Sequence, residues 1–220
     1  AMFRLLLWAS LCCALSSGSD IDTIKDRLLA SLKPSDPAKA IQSANKLAAT
    51  LEENGSWPDI DYHDQNRSIW ATADHMSRVE TLAAAVSVGE NQTAFVAKFH
   101  SALDFWLTND FEDPNWWWNQ IGIPQVMGYT LLLADTVLSH DELSKATSVI
   151  MSRADWTKWT GANLVWMCRI GIMRGVLTQN TTLVTENFER VYEEIRFSNQ
   201  SQDGIQRDAS FHQHGPELLA

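Results

Sequence analysis

Asn115-Trp116-Trp117-Trp118-Asn119-Gln120-Ile121-Gly122-Ile123-Pro124 is the stretch on which the reading of this chain turns. A strand would send the three neighbouring rings to alternating faces, and a helix would spread them around more than half its circumference. At least one ring is therefore expected at the surface or lining a cavity. Indole faces beside the amides of Asn115, Asn119 and Gln120 suit a sugar, because rings stack on pyranose faces and amides bond hydroxyls or carboxylates. The competing reading is that the tryptophans fill a core at a helix junction.

On both sides of this stretch the apolar spacing is helical. Upstream, Ile21, Ile24, Leu28, Leu29 and Leu32 recur at helical intervals over Asp20–Leu32. Pro34-Ser35-Asp36-Pro37 breaks the chain, with Asp36 as N-cap and Pro37 in the first turn of a helix expected to run to about residue 53 and to stop at Asn54-Gly55. A polar, aromatic loop covers 56–65, and helices are expected over 68–88 and 92–107, the latter with Phe95, Phe99, Leu103 and Trp106 on one face. The tryptophans then fall on a loop, 108–118. Downstream, Pro124 opens a helix to 138, Asp141 caps one to about 153, and helices follow over 161–177 and 181–197. The tail, 198–220, is polar and loop-like, and no strand pattern is visible. Sequential helical hairpins with long loops gathered at one end point to an all-α fold, an incomplete α/α toroid of antiparallel hairpins, with a helical bundle as the alternative.

The chain opens with Met2-Phe3-Arg4, an apolar run from Leu5 to Leu15, and the small residues Ser16-Ser17-Gly18. That run is too short to span a bilayer and reads as a secretory signal peptide over 1–18, leaving 19–220 as one helical domain; a signal anchor is the alternative. Cleavage would remove Cys12 and Cys13, so Cys168 would be the sole cysteine, in an apolar helical run where it reads as a small core residue rather than a nucleophile. Sequons at Asn54, Asn66, Asn91, Asn180 and Asn199 fit a glycosylated, secreted protein. The net charge of −10 provides no basic stripe for phosphates and excludes nucleic acid as the expected partner. No membrane contact is expected after cleavage of the leader. An acidic polysaccharide would need a local site that overcomes the global repulsion.

Candidates for chemistry are few. Thr160-Gly161-Ala162-Asn163 puts an amide in the first turn of an apolar helix. His212 and His214 suit proton transfer near neutral pH. His212-x-His214 could also form part of a metal site, but no third ligand cluster accompanies it, so neither metal nor other cofactor is expected. Asp203 and Asp208 offer paired carboxylates for a glycoside hydrolase as a further alternative.

Taken together, Asn-Trp-Trp with Ile-Gly-x-Pro at 115–124, Thr-Gly-Ala-Asn at 160–163, and Asp-Gly-Ile-Gln-x-Asp-x-Ser-Phe-x-Gln-His-Gly at 203–215 resemble the polysaccharide lyase family of hyaluronate, chondroitin AC and xanthan lyases. Trp57-Pro58-Asp59-Ile60-Asp61-Tyr62 and His75-Met76-x-Arg78 are similar to the same family, so the likeness runs from Trp57 to Pro216. It implies β-elimination at a uronic acid. A base removes the C5 proton, the bond from C4 to the glycosidic oxygen breaks, and a C4=C5 double bond forms. By motif position, Asn163 neutralises the uronate carboxylate, His214 takes part in proton transfer, and Trp116 and Trp117, with Asn115, bind the sugar chain. Trp118 stands where the family has a polar residue. Ala209 stands where it often has glycine or another residue, a departure expected to be harmless. The family's catalytic tyrosine would fall just past Ala220, with its arginine and glutamate partners and its β-sandwich domains further on. The resemblance thus implies the N-terminal part of a toroid, weak or inactive by itself. The alternative is a non-catalytic glycan-binding protein that keeps the tryptophan platform.

Overall fold

The structure is a computed structural model and describes residues 19–88, 93–195, 197, 204–213 and 218–219. The expected leader (1–18), His214 and the sequons at Asn91 and Asn199 lie outside the described residues.

Eight α-helices make up the described fold: α1 (Asp20–Leu32), α2 (Pro37–Thr50), α3 (Asp74–Val88), α4 (Thr93–Asn109), α5 (Ile123–Leu133), α6 (His140–Lys145), α7 (Gly161–Leu177) and α8 (Thr181–Glu194). Their starts follow from local chemistry. Ser19 and Asp22 form a reciprocal capping box on α1, and Asp36 caps α2 with Pro37 in its first turn. Ser139 and Glu142 box the start of α6, and Asn180 accepts the Leu183 N–H at the start of α8.

Helices α3, α5 and α7 lie side by side as one row; α4 packs against α3 and α8 against α7. α1 packs against both α5 and α7, tied there by Lys25 Nζ to Asp135, 2.6 Å. The three row helices present their N-terminal ends together. Trp70, just before α3, meets Trp118, and Trp159, just before α7, meets Trp116. The core between the layers holds Trp57, Met76, Leu82, Phe99, Leu103, Trp106, Met127 and Leu131, all fully buried. This is an all-α, α/α-toroid fold, as expected from the helical hairpins.

Several boundaries differ from expectation, each for a local reason. α2 ends at Thr50 because Leu51 turns extended and drops into the core. α3 starts at Asp74, behind a short 3-10 turn at Ala71–Ala73, because Asp64 and Asn66 capture the N–H groups a longer helix would need. Asp64 takes that of Ala71 at 2.7 Å, and Asn66 takes those of Ser68 and Ile69. The tryptophans are not on a loop. The chain is helical from 116, passes through a π turn at Trp118–Gly122, and ends at Leu133 rather than 138. Pro124 is tolerated inside because the ladder is already shifted: Ile123 N–H reaches back five residues to the Trp118 carbonyl. Ser139, not Asp141, caps α6, which gives way to a π turn and a 3-10 turn ending at Arg153. α8 stops at Glu194 rather than 197.

The tail is not loop alone. β1 (Gly204–Ile205), β2 (Phe211–Gln213) and β3 (Leu218–Leu219) form an antiparallel sheet in that order, with Gly204 opposite His212 and His212 opposite Leu219. Strands this short carry too few residues for an alternating pattern to show.

Candidate functional site

Asp113, Asn115 and Asn119 fix the tryptophan turn. Asp113 Oδ1 accepts the Asn115 N–H at 2.7 Å, and Asn115 Oδ1 accepts that of Trp117 at 3.1 Å. Asn115 Nδ2 donates to the Arg67 carbonyl at 2.8 Å, tying the turn to the segment ahead of α3. Asn119 clamps Asp113 from both sides, accepting its N–H at 2.9 Å and donating to its carbonyl at 2.8 Å. The amides of Asn115 and Asn119, expected to face a sugar, are therefore engaged within the protein. What remains for a ligand in this stretch is the rings and the half-buried Gln120.

The three rings diverge, as a helical turn requires. Trp116 stacks on Trp159. Trp117 folds over Gly122, where an added Cβ would come within 2.8 Å of its ring, and presents its edge to Trp166 at 6.4 Å. Trp118 packs into the core beside Trp70. Both readings of the stretch thus hold in part: all three rings are half-buried, Trp118 against the core, while Trp116 and Trp117 join Trp159 and the 39% exposed Trp166 in an aromatic surface. One helical turn below Trp166, the Arg169 guanidinium lies over the Tyr129 ring at 5.0 Å.

Asn163 sits three residues before Trp166, in the first turn of α7. It is 5% exposed and makes no side-chain hydrogen bond among the described residues. Its turn is shaped by Gly161, whose φ of 62° lies in the left-handed region that favours glycine. The Gly161 N–H is capped by the carboxylate of Glu194, at the end of α8. β2 lies against α7, so the strand carrying His212 approaches the same helix. His214 lies beyond the described part of that strand. Asp208 is exposed and accepts hydrogen bonds from the N–H and hydroxyl of Ser210, which hold its carboxyl below the usual range. It is committed to a turn, and Asp203 lies outside the described residues. Cys168 is fully buried, and desolvation pushes its thiol up to about 11, which leaves no thiolate for nucleophilic work.

Trp159, Trp166, Arg190 and Glu194 belong to this site although the sequence did not single them out. The first two carried a signal, one within a turn of Asn163 and the other just ahead of its helix. The Glu194 contact spans 33 residues and left none.

The row of helices, its N-terminal ends gathered beneath the aromatic turn, belongs to a domain of the α/α-toroid class. The family model described as polysaccharide lyase family 8, N terminal alpha-helical domain, matches residues 17–219, and the chain belongs to that family. It is 27% identical over 212 residues to a chondroitinase-AC of Pedobacter heparinus, covering 90% of this chain and 29% of that protein. It is also 27% identical over 218 residues to a hyaluronate lyase of Thermasporomyces composti, covering 94% and 27%. A solved chondroitinase AC lyase, studied with oligosaccharide complexes, aligns with a TM-score of 0.82 at 28% identity over 90% of this chain and 30% of its own. A Paenibacillus xanthan lyase aligns with a TM-score of 0.73 at 20% identity over 89% and 21%, a likeness of fold. The chain spans less than a third of the length of each of these relatives.

Proposed function

We propose that this chain is the helical domain of a secreted lyase that cleaves uronate-containing glycans, such as hyaluronan or chondroitin, by β-elimination. The observation that carries the reading is the Asn163 amide: buried, without a side-chain partner among the described residues, and one helical turn from the aromatic surface. Removing the C5 proton of a uronate builds negative charge beside a carboxylate that is already negative. Donors aimed at those carboxylate oxygens stabilise the enolate-like transition state more than the ground state, which is what accelerates the step. An amide supplies such donors and has no proton to lose near neutral pH. The positive end of α7 adds to the same effect.

In this reading Trp116 and Trp117 stack the sugar chain and set its register, while Asn115 holds their turn rather than touching sugar. His214 carries out or assists proton transfer. Residues 1–18 act as the secretion signal and 19–220 as the domain. Named lyases among the relatives act on chondroitin and hyaluronate, which supports an acidic glycan as substrate.

The test is Asn163→Ala in the full-length polypeptide that carries this domain. Formation of the unsaturated uronide, followed by ultraviolet absorbance, should be lost, while glycan-induced change in tryptophan fluorescence persists. A full rate in the variant would sink the assignment of Asn163. Binding without unsaturated product from the wild-type polypeptide would place the platform in a non-catalytic glycan-binding protein.

A further inference from the structure

The start of α7 is fastened from the end of α8. Thr160, its N-cap residue, makes no side-chain capping bond. Instead Glu194 Oε1 accepts the Gly161 N–H, while Glu194 Oε2 is held by Arg190 Nη2 at 2.9 Å. The Glu194 side chain is 9% exposed, and the Arg190 guanidinium lies over the Trp156 ring at 5.9 Å. Trp156, Arg190, Glu194 and Gly161 thus form a chain of contacts between the segment before α7, the last turns of α8 and the turn that presents Asn163.

Resting on the lyase reading above, we propose that Glu194 and Arg190 are positioning residues for the Asn163 amide. Asn163 has no side-chain bond of its own among the described residues, so the backbone of its turn sets its aim. That turn depends on a left-handed Gly161 whose N–H is committed to Glu194. A carboxylate at a helix N-terminus is favourable for the helix but places negative charge near the position a uronate would occupy. Arg190, whose guanidinium also meets the exposed Glu193 at 3.8 Å, offsets the Glu194 charge, so the brace holds the turn with less repulsion of an anionic sugar.

The experiment compares Glu194→Ala, Glu194→Gln, Arg190→Gln and Asn163→Ala in the full-length polypeptide, with folding checked by circular dichroism and thermal unfolding. Glu194→Ala should lower kcat about a hundredfold, the cost of misplacing a catalytic group by about an ångström. KM should change little, because the tryptophans are untouched. Glu194→Gln keeps an oxygen for the Gly161 N–H and should recover kcat to within about tenfold of wild type. Arg190→Gln leaves an uncompensated carboxylate and should raise KM for the anionic glycan, more at low salt than at high salt. If Glu194→Ala does not fold, Arg190→Gln carries the test, and a KM unchanged at low salt overturns the proposal. A wild-type kcat in folded Glu194→Ala, with Asn163→Ala inactive, overturns the proposal. If Asn163→Ala itself keeps its rate, the lyase role of Asn163 fails instead. Amide exchange at Gly161 then still tests the brace, and protection unchanged in Glu194→Ala overturns it.

Discussion

Trp159 stacks on Trp116 with ring centroids 4.1 Å apart and planes 23° from parallel, so one face of Trp116 is already covered by protein. On Trp116, a sugar ring in the proposed site would have only the other face. Trp159 therefore acts as a backing plate that holds Trp116 at a fixed tilt.

Aromatic stacking of this kind is worth about 1 kcal/mol beyond the area buried. Trp116→Ala should weaken binding of a chondroitin or hyaluronan oligosaccharide about tenfold, and Trp159→Ala about fivefold through lost rigidity alone. Fluorescence titration of the two variants checks this. Equal affinities in wild type and Trp116→Ala would remove the platform from the account.

Stability should fall in mild acid because of His75. This histidine is fully buried; its Nε2 donates to the Ala102 carbonyl at 2.9 Å, so its Nδ1 accepts from the Tyr62 hydroxyl, also at 2.9 Å. Tyr62 in turn accepts the Trp57 N–H at 3.0 Å. Desolvation lowers the imidazole from 6.5 to about 4. Between those values the unfolded chain binds the proton and the folded chain does not. The contribution is thus complete above 6.5 and is lost as the pH falls toward 4, to the extent of about 3 kcal/mol. Denaturant unfolding from neutral pH to pH 4 should show this slope. In His75→Gln the slope should be shallower, on a lower baseline.

Ala209 is a strained residue. Its φ of 67° places it in the left-handed region, in the β1–β2 turn where its N–H bonds the Gln206 carbonyl at 2.9 Å. The departure from glycine read as harmless in the sequence, yet an alanine there costs about 1 kcal/mol. Ala209→Gly should strengthen the turn by about that amount, seen as slower amide exchange at Gln206 and Ala209. Faster exchange in the variant would contradict the strain.

The described sequons at Asn54, Asn66 and Asn180 are exposed, and each uses its side-chain oxygen locally, accepting the N–H of Ser56, Ser68 and Leu183 respectively. An N-linked glycan attaches through Nδ2 and leaves those bonds intact. Protein recovered from the medium of a eukaryotic secretory host should lose mass on endoglycosidase treatment, with each Asn→Gln substitution removing one step. No loss would argue against the secretory reading.

What the sequence made legible was chemistry that acts over a few residues. Asp36-Pro37 marked α2, and the apolar runs after Asp20 and Gly161 marked α1 and α7, because caps and periodicity are local. The tryptophan turn was misplaced because Pro124 is an ordinary helix-start signal, and only a π turn reveals that it lies inside the helix. Asn115 was read as a sugar ligand because its partner, the Arg67 carbonyl, lies 48 residues away. The brace from Glu194 to Gly161 was invisible for the same reason. Asn163 and the ring pair Trp116 and Trp117 stood out because their motif spacing is short and shared with a family.

The most direct test of the central claim is mass spectrometry of the products that the full-length polypeptide makes from hyaluronan or chondroitin. A β-elimination predicts a new non-reducing end that is an unsaturated uronic acid, each fragment lighter by one water than its hydrolytic counterpart. Saturated ends would contradict the account and point to a hydrolase.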